Sequence, residues 1–196
     1  MIDIDKLKSE FPFLNELSSS DVFEFLQQTQ LIELNAGDVF LEQGSLKNNT
    51  YFIKHGLIRS YYIDKKGEEI TNRLRYENQL IAAYEILFFN QAARFNFQAL
   101  EKSELFVINF NELRKIIEQN TKLDSSRRYF MMNILSESLS ALDDFILLSP
   151  EQRYLKFIQD HPVLLNRAPI KYIANVLGIT PVSLSRIRKR ISNKKQ

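Results

Sequence analysis

The chain of 196 residues contains no cysteine, which excludes disulfides, thiolate metal centres, cysteine-ligated iron–sulfur clusters and thiol redox sensing at once. Its two histidines, His55 and His161, are too far apart for a His-x-His or His-x3-His metal spacing. Both read as turn or surface residues, and neither a metal nor a cofactor is expected. The five glycines include no Gly-x-Gly-x-x-Gly segment and no Walker loop, and there is no nucleophile elbow. An enzyme built on this sequence would be of an unrecognised type. No stretch of about 18 apolar residues and no N-terminal run of signal-peptide form occurs, so a membrane partner is not expected and the chain reads as cytoplasmic. Against these absences, 44% of the residues are hydrophobic, ample for a packed core.

Acid is missing from one end. From Pro162 to Gln196 there is no Asp or Glu, but there are eight basic residues: Arg167, Lys171, Arg186, Arg188, Lys189, Arg190, Lys194 and Lys195. The other 161 residues hold 18 basic and 24 acidic side chains, so a net charge of only +2 divides into a body of −6 and a tail of +8. Inside the tail, Ile173-Ala-Asn-Val-Leu-Gly-Ile-Thr-Pro-Val-Ser-Leu-Ser185 has the spacing of two helices packed across a tight turn. A helix starting at Ile170 turns Ile173, Ala174 and Leu177 inward, with Ala174 small where the helices cross. Gly178 supplies the positive φ of the turn, Ile179 plugs it, and Leu184 and Ile187 anchor the second helix. Thr180 is placed to cap that helix and Pro181 to take its first position, and Pro169 is expected to open the first helix in the same way.

An inward stripe alone would be ordinary core. The Ala, the Gly and the two caps at these spacings point further, to a helix-turn-helix and hence to double-stranded DNA. Thr180, Pro181, Ser183, Ser185 and Arg186 fall in the exposed N-terminal half of the second helix, with Arg186 the expected reader of a base, most simply guanine through O6 and N7. Arg188, Lys189 and Arg190 lie further along and are expected to hold phosphates.

Upstream, residues 1–30 read as helical, with Ser18 and Asp21 at a cap and Val22, Phe25 and Leu26 as the apolar stripe. Short β-branched or aromatic segments follow at 31–34, 38–42, 50–54, 57–63, 68–76, 94–100 and 105–109, separated by Gly37, Gly44, Gly56 and Gly67. Such strands predict an antiparallel barrel or roll, crossed by a short helix over 82–90. Beyond Asn111 the period becomes helical. Met132, Leu135, Leu139, Leu142 and Ile146 recur at 3-4 spacing, and Phe130, Ile134, Ala141 and Phe145 lie on the other side. A helix apolar on two sides needs two partners, read here as the chain's own roll and the same helix of a second subunit, with burial inside a monomer as the alternative. Ser149-Pro150-Glu151-Gln152 reads as a new helix start, which places a hinge near 148–150. The expected organisation is α+β: residues 1–110 an antiparallel β-roll (double-stranded β-helix) with N-terminal helices, 111–148 a long dimerisation helix, and 149–196 an all-α helix-turn-helix domain.

This order resembles the Crp/Fnr family of bacterial transcription regulators over nearly the whole chain. In the roll the resemblance rests on Ala36-Gly37-Asp38, Gln43-Gly44-Ser45 and Tyr51-Phe52-Ile53-Lys54-His55-Gly56. In the tail, Tyr172 to Arg188 is similar to the string of a short-tailed branch found in Bacteroidetes-like bacteria. The resemblance implies a homodimer on an inverted-repeat operator, with RNA polymerase as a further partner and either a small-molecule effector or none. It also implies an effector pocket at Ala83, Tyr84, Ala93, Arg94 and Ser138. Family members that bind cyclic nucleotides hold the ribose with a Glu and the phosphate with an Arg; those places fall on Ala83 and Ala93, with Arg94 as the neighbouring cation, so cyclic AMP is not the expected ligand. Ser138 and Leu139 stand where a Thr/Ser pair meets the base. At the DNA, Pro181 and Val182 replace the family's early Arg and Glu, so a different operator sequence is expected. The β-hairpin wing of longer relatives has no counterpart before Gln196, a loss of phosphate contacts partly offset by Lys194 and Lys195. Two other readings remain: a ligand-sensing or protein-interaction module whose C-terminal helices no longer read DNA, and an enzyme on a β-roll such as a metal-dependent cupin, which two unclustered histidines disfavour.

Overall fold

Among the described residues, eight short strands in two facing sheets make the body of the protein, with helices before and after them. The computed structural model describes residues 4–10, 14, 18–119 and 122–193. Helix α1 spans Ile4–Glu10 and α2 spans Ser19–Gln27. The predicted cap of α2 is present: Asp21 N–H donates to Ser18 Oγ at 3.1 Å, and Ser18 N–H donates to the Asp21 carboxylate at 3.0 Å. Val22 and Phe25 then pack with Leu14 on Phe52 and Ile108, closing one outer face of the roll.

The strands are β1 (Gln30–Leu34), β2 (Val39–Leu41), β3 (Asn49–His55), β4 (Ile58–Ile63), β5 (Glu69–Arg75), β6 (Leu80–Ala82), β7 (Asn96–Ala99) and β8 (Ser103–Asn109). One sheet has the order β1-β8-β3-β6 and the other β2-β7-β4-β5, with every pairing antiparallel. Leu41, Tyr51, Ile53, Ile58, Ile81, Phe97, Ala99 and Leu105 fill the space between them. The expected roll is therefore present. Strand β6 is an addition: the sequence reading left 77–81 unassigned, because three residues after the left-handed Asn78 turn (φ 65°) carry too little alternation to declare a strand. The short helix expected next is α3, Tyr84–Phe89.

The helical tract after Asn109 is two helices, α4 (Phe110–Gln119) and α5 (Lys122–Leu147); residues 120 and 121 lie outside the described set. Four more follow: α6 (Pro150–Asp160), α7 (Leu164–Arg167), α8 (Ile170–Val176) and α9 (Pro181–Asn193). Ser149 caps α6 in a complete capping box with Gln152, and Pro150 is its first residue. The core of the C-terminal helices is continuous with the roll. Tyr154, Phe157, Leu164, Ile173, Ala174, Leu177, Leu184 and Ile187 form one continuous cluster with Leu57 and Leu74 of the roll, edged by Tyr76 and Leu100. Each such leucine removed from water contributes roughly 1.5–3 kcal/mol.

Candidate nucleic-acid interface and effector region

The turn between α8 and α9 is built as the spacing requires. Gly178 has φ 66°, its N–H donates to Asn175 O at 2.9 Å, and Ile179 N–H donates to Ala174 O at 3.0 Å, the paired bonds of a Schellman motif. A Cβ on Gly178 would come within 2.6 Å of the Phe145 ring at the end of α5, so both the φ and the close approach require glycine. Thr180 caps α9: Ser183 N–H donates to its Oγ1 at 3.1 Å, and the two hydroxyls lie 2.9 Å apart. Pro169 sits one residue earlier than expected, as the N-cap of α8 at ψ 140° and not as its first turn, because the residue before Ile170 must still be extended.

Leu184 and Ile187 bury one side of α9. On the opposite side Val182, Ser185, Arg186 and Lys189, spaced i, i+3, i+4 and i+7, are all exposed, while Ser183, Arg188 and Arg190 flank them. Two differences from the sequence reading follow. Lys189, expected among the phosphate holders, shares the outward face with Arg186, because three residues return a helix to nearly the same side. Val182 was not among the expected contacts, yet it is an apolar side chain on that face, 60% exposed; position alone could have found it. Arg186, Arg188 and Lys189 make no ion pair among the described residues. Two of the eight tail cations are already engaged. Arg190 Nε lies 3.2 Å from Glu151, and Arg167 donates to Glu77 at 2.7 and 2.8 Å and to Glu101 at 2.5 Å. Lys194 and Lys195 lie outside the described residues.

The expected seam on α5 is a stripe of exposed side chains: Met132, Leu135, Leu139, Leu142 and Ile146 are each more than half open to solvent. The other side differs from expectation. Ile134 and Ser138 are half-buried, but Ala141 is exposed and Phe145 is about half exposed. Phe145 packs against Gly178 and beneath the Arg153 guanidinium, 4.9 Å from its ring centre, because by that turn α5 has passed beyond the strands. The side chain of Phe130 is outside the described set.

The five residues of the expected effector pocket are not all together. Ala83 and Ala93 are buried methyls in the roll core, and Ala83 precedes α3. Arg94 points outward, 72% exposed, with Glu85 at 3.9 Å and the Phe95 ring at 5.4 Å. Tyr84 and Ser138 do stand at the junction of roll and α5, where burial raises the Tyr84 phenol pKa against the opposing pull of Arg75 and Arg73. Ser138 donates to Ile134 O within its own helix at 2.8 Å. The cations at this junction are ones the sequence reading did not single out. Arg73 and Arg75, two residues apart on one face of β5, converge on Glu137 of α5, at 3.7 and 2.6 Å. His161, at the end of α6, is half-buried between Tyr76 and Phe157; burial lowers its pKa, against the raising influence of Asp160. No group of three or more His, Asp or Glu that could hold a metal is found among the described residues.

Comparison with known proteins fits this geometry. Residues 31–120 match the family model described as Cyclic nucleotide-binding domain. The Anaerobic regulatory protein of Bacillus subtilis (strain 168) is 27% identical over 139 residues, covering 69% of this chain and 58% of that protein, so the chain spans less than two thirds of that relative. The structure of FixK2 from Bradyrhizobium japonicum superposes with a TM-score of 0.73 at 13% identity, covering 85% of this chain and 86% of that one. A structure from Eubacterium rectale described as a regulator of the crp/fnr family gives a TM-score of 0.70 at 14% identity, covering 95% and 88%. The class is thus a cyclic-nucleotide-binding-type roll joined through a long helix to a helix-turn-helix. The chain carries the Cyclic nucleotide-binding domain over residues 31–120 and is similar in fold to a regulator of the crp/fnr family.

Proposed function

We propose that the protein is a homodimeric, sequence-specific DNA-binding transcription regulator acting in the cytoplasm, with α9 entering the major groove and α5 pairing with its copy. The observation that carries the reading is the outward face of α9. It presents Arg186 and Lys189 without an ion-pair partner among the described residues, on a helix whose position is fixed by a buried anchor and a capped glycine turn. Thr180, Pro181, Ser183 and Ser185 bring the start of that helix close to the bases, Arg186 donates to guanine, and Val182 suits a thymine methyl. Arg188 and Arg190, on the flanks, meet the phosphates that wall the groove. RNA polymerase is the further protein partner, and the Tyr172–Arg188 string supports placing the chain in a short-tailed branch of the Crp/Fnr family.

The roll senses an effector other than cyclic AMP, or none, because Ala83 and Ala93 offer no group to ribose or phosphate and Arg94 faces away from them. No catalytic role is assigned. A gel shift of the full chain on the DNA upstream of its own coding region tests the reading. A salt-sensitive complex that Arg186→Ala weakens supports it, and no complex with that DNA or with any selected sequence favours a sensing module that does not read DNA.

A further inference from the structure

The C-terminal unit rests on one end of the second sheet. Leu57 precedes β4, Tyr76 and Glu77 follow β5, and Leu100 and Glu101 follow β7; because β5 and β7 both run antiparallel to β4, these residues come to the same end of the sheet. Arg167, the last residue of α7, reaches into that end. Its guanidinium meets Glu77 through two parallel hydrogen bonds of 2.7 and 2.8 Å and Glu101 at 2.5 Å, while Gly56 N–H donates to Glu77 at 2.8 Å and holds that carboxylate in place. Two further contacts fix α8 itself. Asn175 Oδ1 accepts from Thr71 N–H at 3.1 Å, satisfying a donor on β5, the edge strand of the sheet. Tyr172 lies 4.3 Å over Arg59, a 2%-exposed roll arginine whose other face covers Tyr61 at 4.0 Å.

Apolar contacts hold two bodies close but are indifferent to small rotations, whereas a two-pronged guanidinium–carboxylate pair fixes direction as well as distance. We infer that Arg167, clamped between Glu77 and Glu101, is a positioning residue that sets the angle of the helix-turn-helix on the roll and thereby the separation at which two recognition helices in a dimer read DNA. The chain passes from α5 to α6 through Leu148 and Ser149, braced by Lys156 of α6 on Asp144 of α5 at 2.7 Å, so without the clamp the unit turns about that joint and the apolar patch. Scale makes this matter. A 13-residue helix is about 20 Å long, and a tilt of about 10° carries its end about 3 Å, close to the ~3.4 Å advance of one nucleotide along a strand. The inference rests on the proposed DNA reading for its consequence, but not for its geometry.

The absence of cysteine allows the geometry to be tested without DNA. Spin labels attached through Lys66→Cys, on a turn of the roll, and Ser192→Cys, on α9, report one distance across the junction when labelled chains are diluted with unlabelled ones. The intact clamp gives a single narrow distribution. Arg167→Ala broadens it at least twofold, the paired Glu77→Gln and Glu101→Gln variant does the same if Arg167→Ala does not fold, and Arg167→Lys restores part of the narrowness. Circular dichroism confirms that each variant measured is folded. Binding-site selection then gives one half-site spacing for the intact chain, and spacings one base pair longer and shorter for the broadened variants. A distribution or spacing unchanged in the folded variants overturns the inference. A narrow distribution in an intact chain that selects no sequence instead defeats the DNA reading while leaving the clamp standing.

Discussion

At the scale of single residues, the proposed DNA reading divides the exposed side chains of α9 into those that read bases and those that hold phosphates. Arg186→Ala removes a bidentate donor and is expected to cost about 1–3 kcal/mol per half-site, with preference relaxed at one base pair. Arg188→Ala, on the flank, is expected to weaken all sequences alike and to lower the salt slope by about one unit per half-site. Salt titration of both variants on matched and mismatched sites checks the division; equal loss on every sequence from Arg186→Ala would contradict it. Glu77 gives a pH signature. Burial would raise its pKa, but the hydrogen bonds from Arg167 and from Gly56 N–H outweigh it and hold the carboxyl at about 2, against an ordinary 4.5. Because the folded pKa is the lower, its contribution to stability is complete above about pH 4.5 and is lost as pH falls toward 2. Melting temperatures of the parent and of Glu77→Gln should converge over that interval and differ above it; curves that stay parallel would mean the pair contributes nothing.

At the scale of elements, the α5 stripe is left exposed by the described residues. Glu at both Leu135 and Leu142 would place repelling charges in the proposed seam, each costing several kcal/mol once buried there. Sedimentation is expected to find a monomer with unchanged circular dichroism, and a dimer of unaltered association constant would mean the seam is elsewhere. What the sequence disclosed about elements follows from how local their causes are. The caps at Ser18, Ser149 and Thr180 and the turn at Gly178 are made by residues within five positions of one another, so they were legible. The docking of α8 on β5 was not. It depends on Arg167 finding Glu77 and Glu101, 90 and 66 positions away, and Arg167 had read as one more cation for DNA. Likewise Phe145 looked like roll-facing core by spacing alone, because periodicity reports which side a residue is on and not how far along the helix its partner extends.

At the scale of the whole molecule, the roll and the reader form one packed body, so any effector at the junction of roll and α5 would act within reach of β5, which contacts α5 through Arg73 and Arg75 and the helix-turn-helix through Thr71 and Leu74. Cyclic AMP is not expected to be that effector. Calorimetry should find no binding below about 10 μM, equivalent to roughly −7 kcal/mol, and tighter binding would point to Arg73 and Arg75 as phosphate partners. The central claim concerns DNA, and binding-site selection with the intact chain tests it most directly. The account predicts an inverted repeat whose half-sites are about one helical turn apart, roughly 34 Å, each with a guanine that Arg186→Ala ceases to select. Recovery of no enriched sequence, or of an enriched sequence without two-fold symmetry, would contradict it.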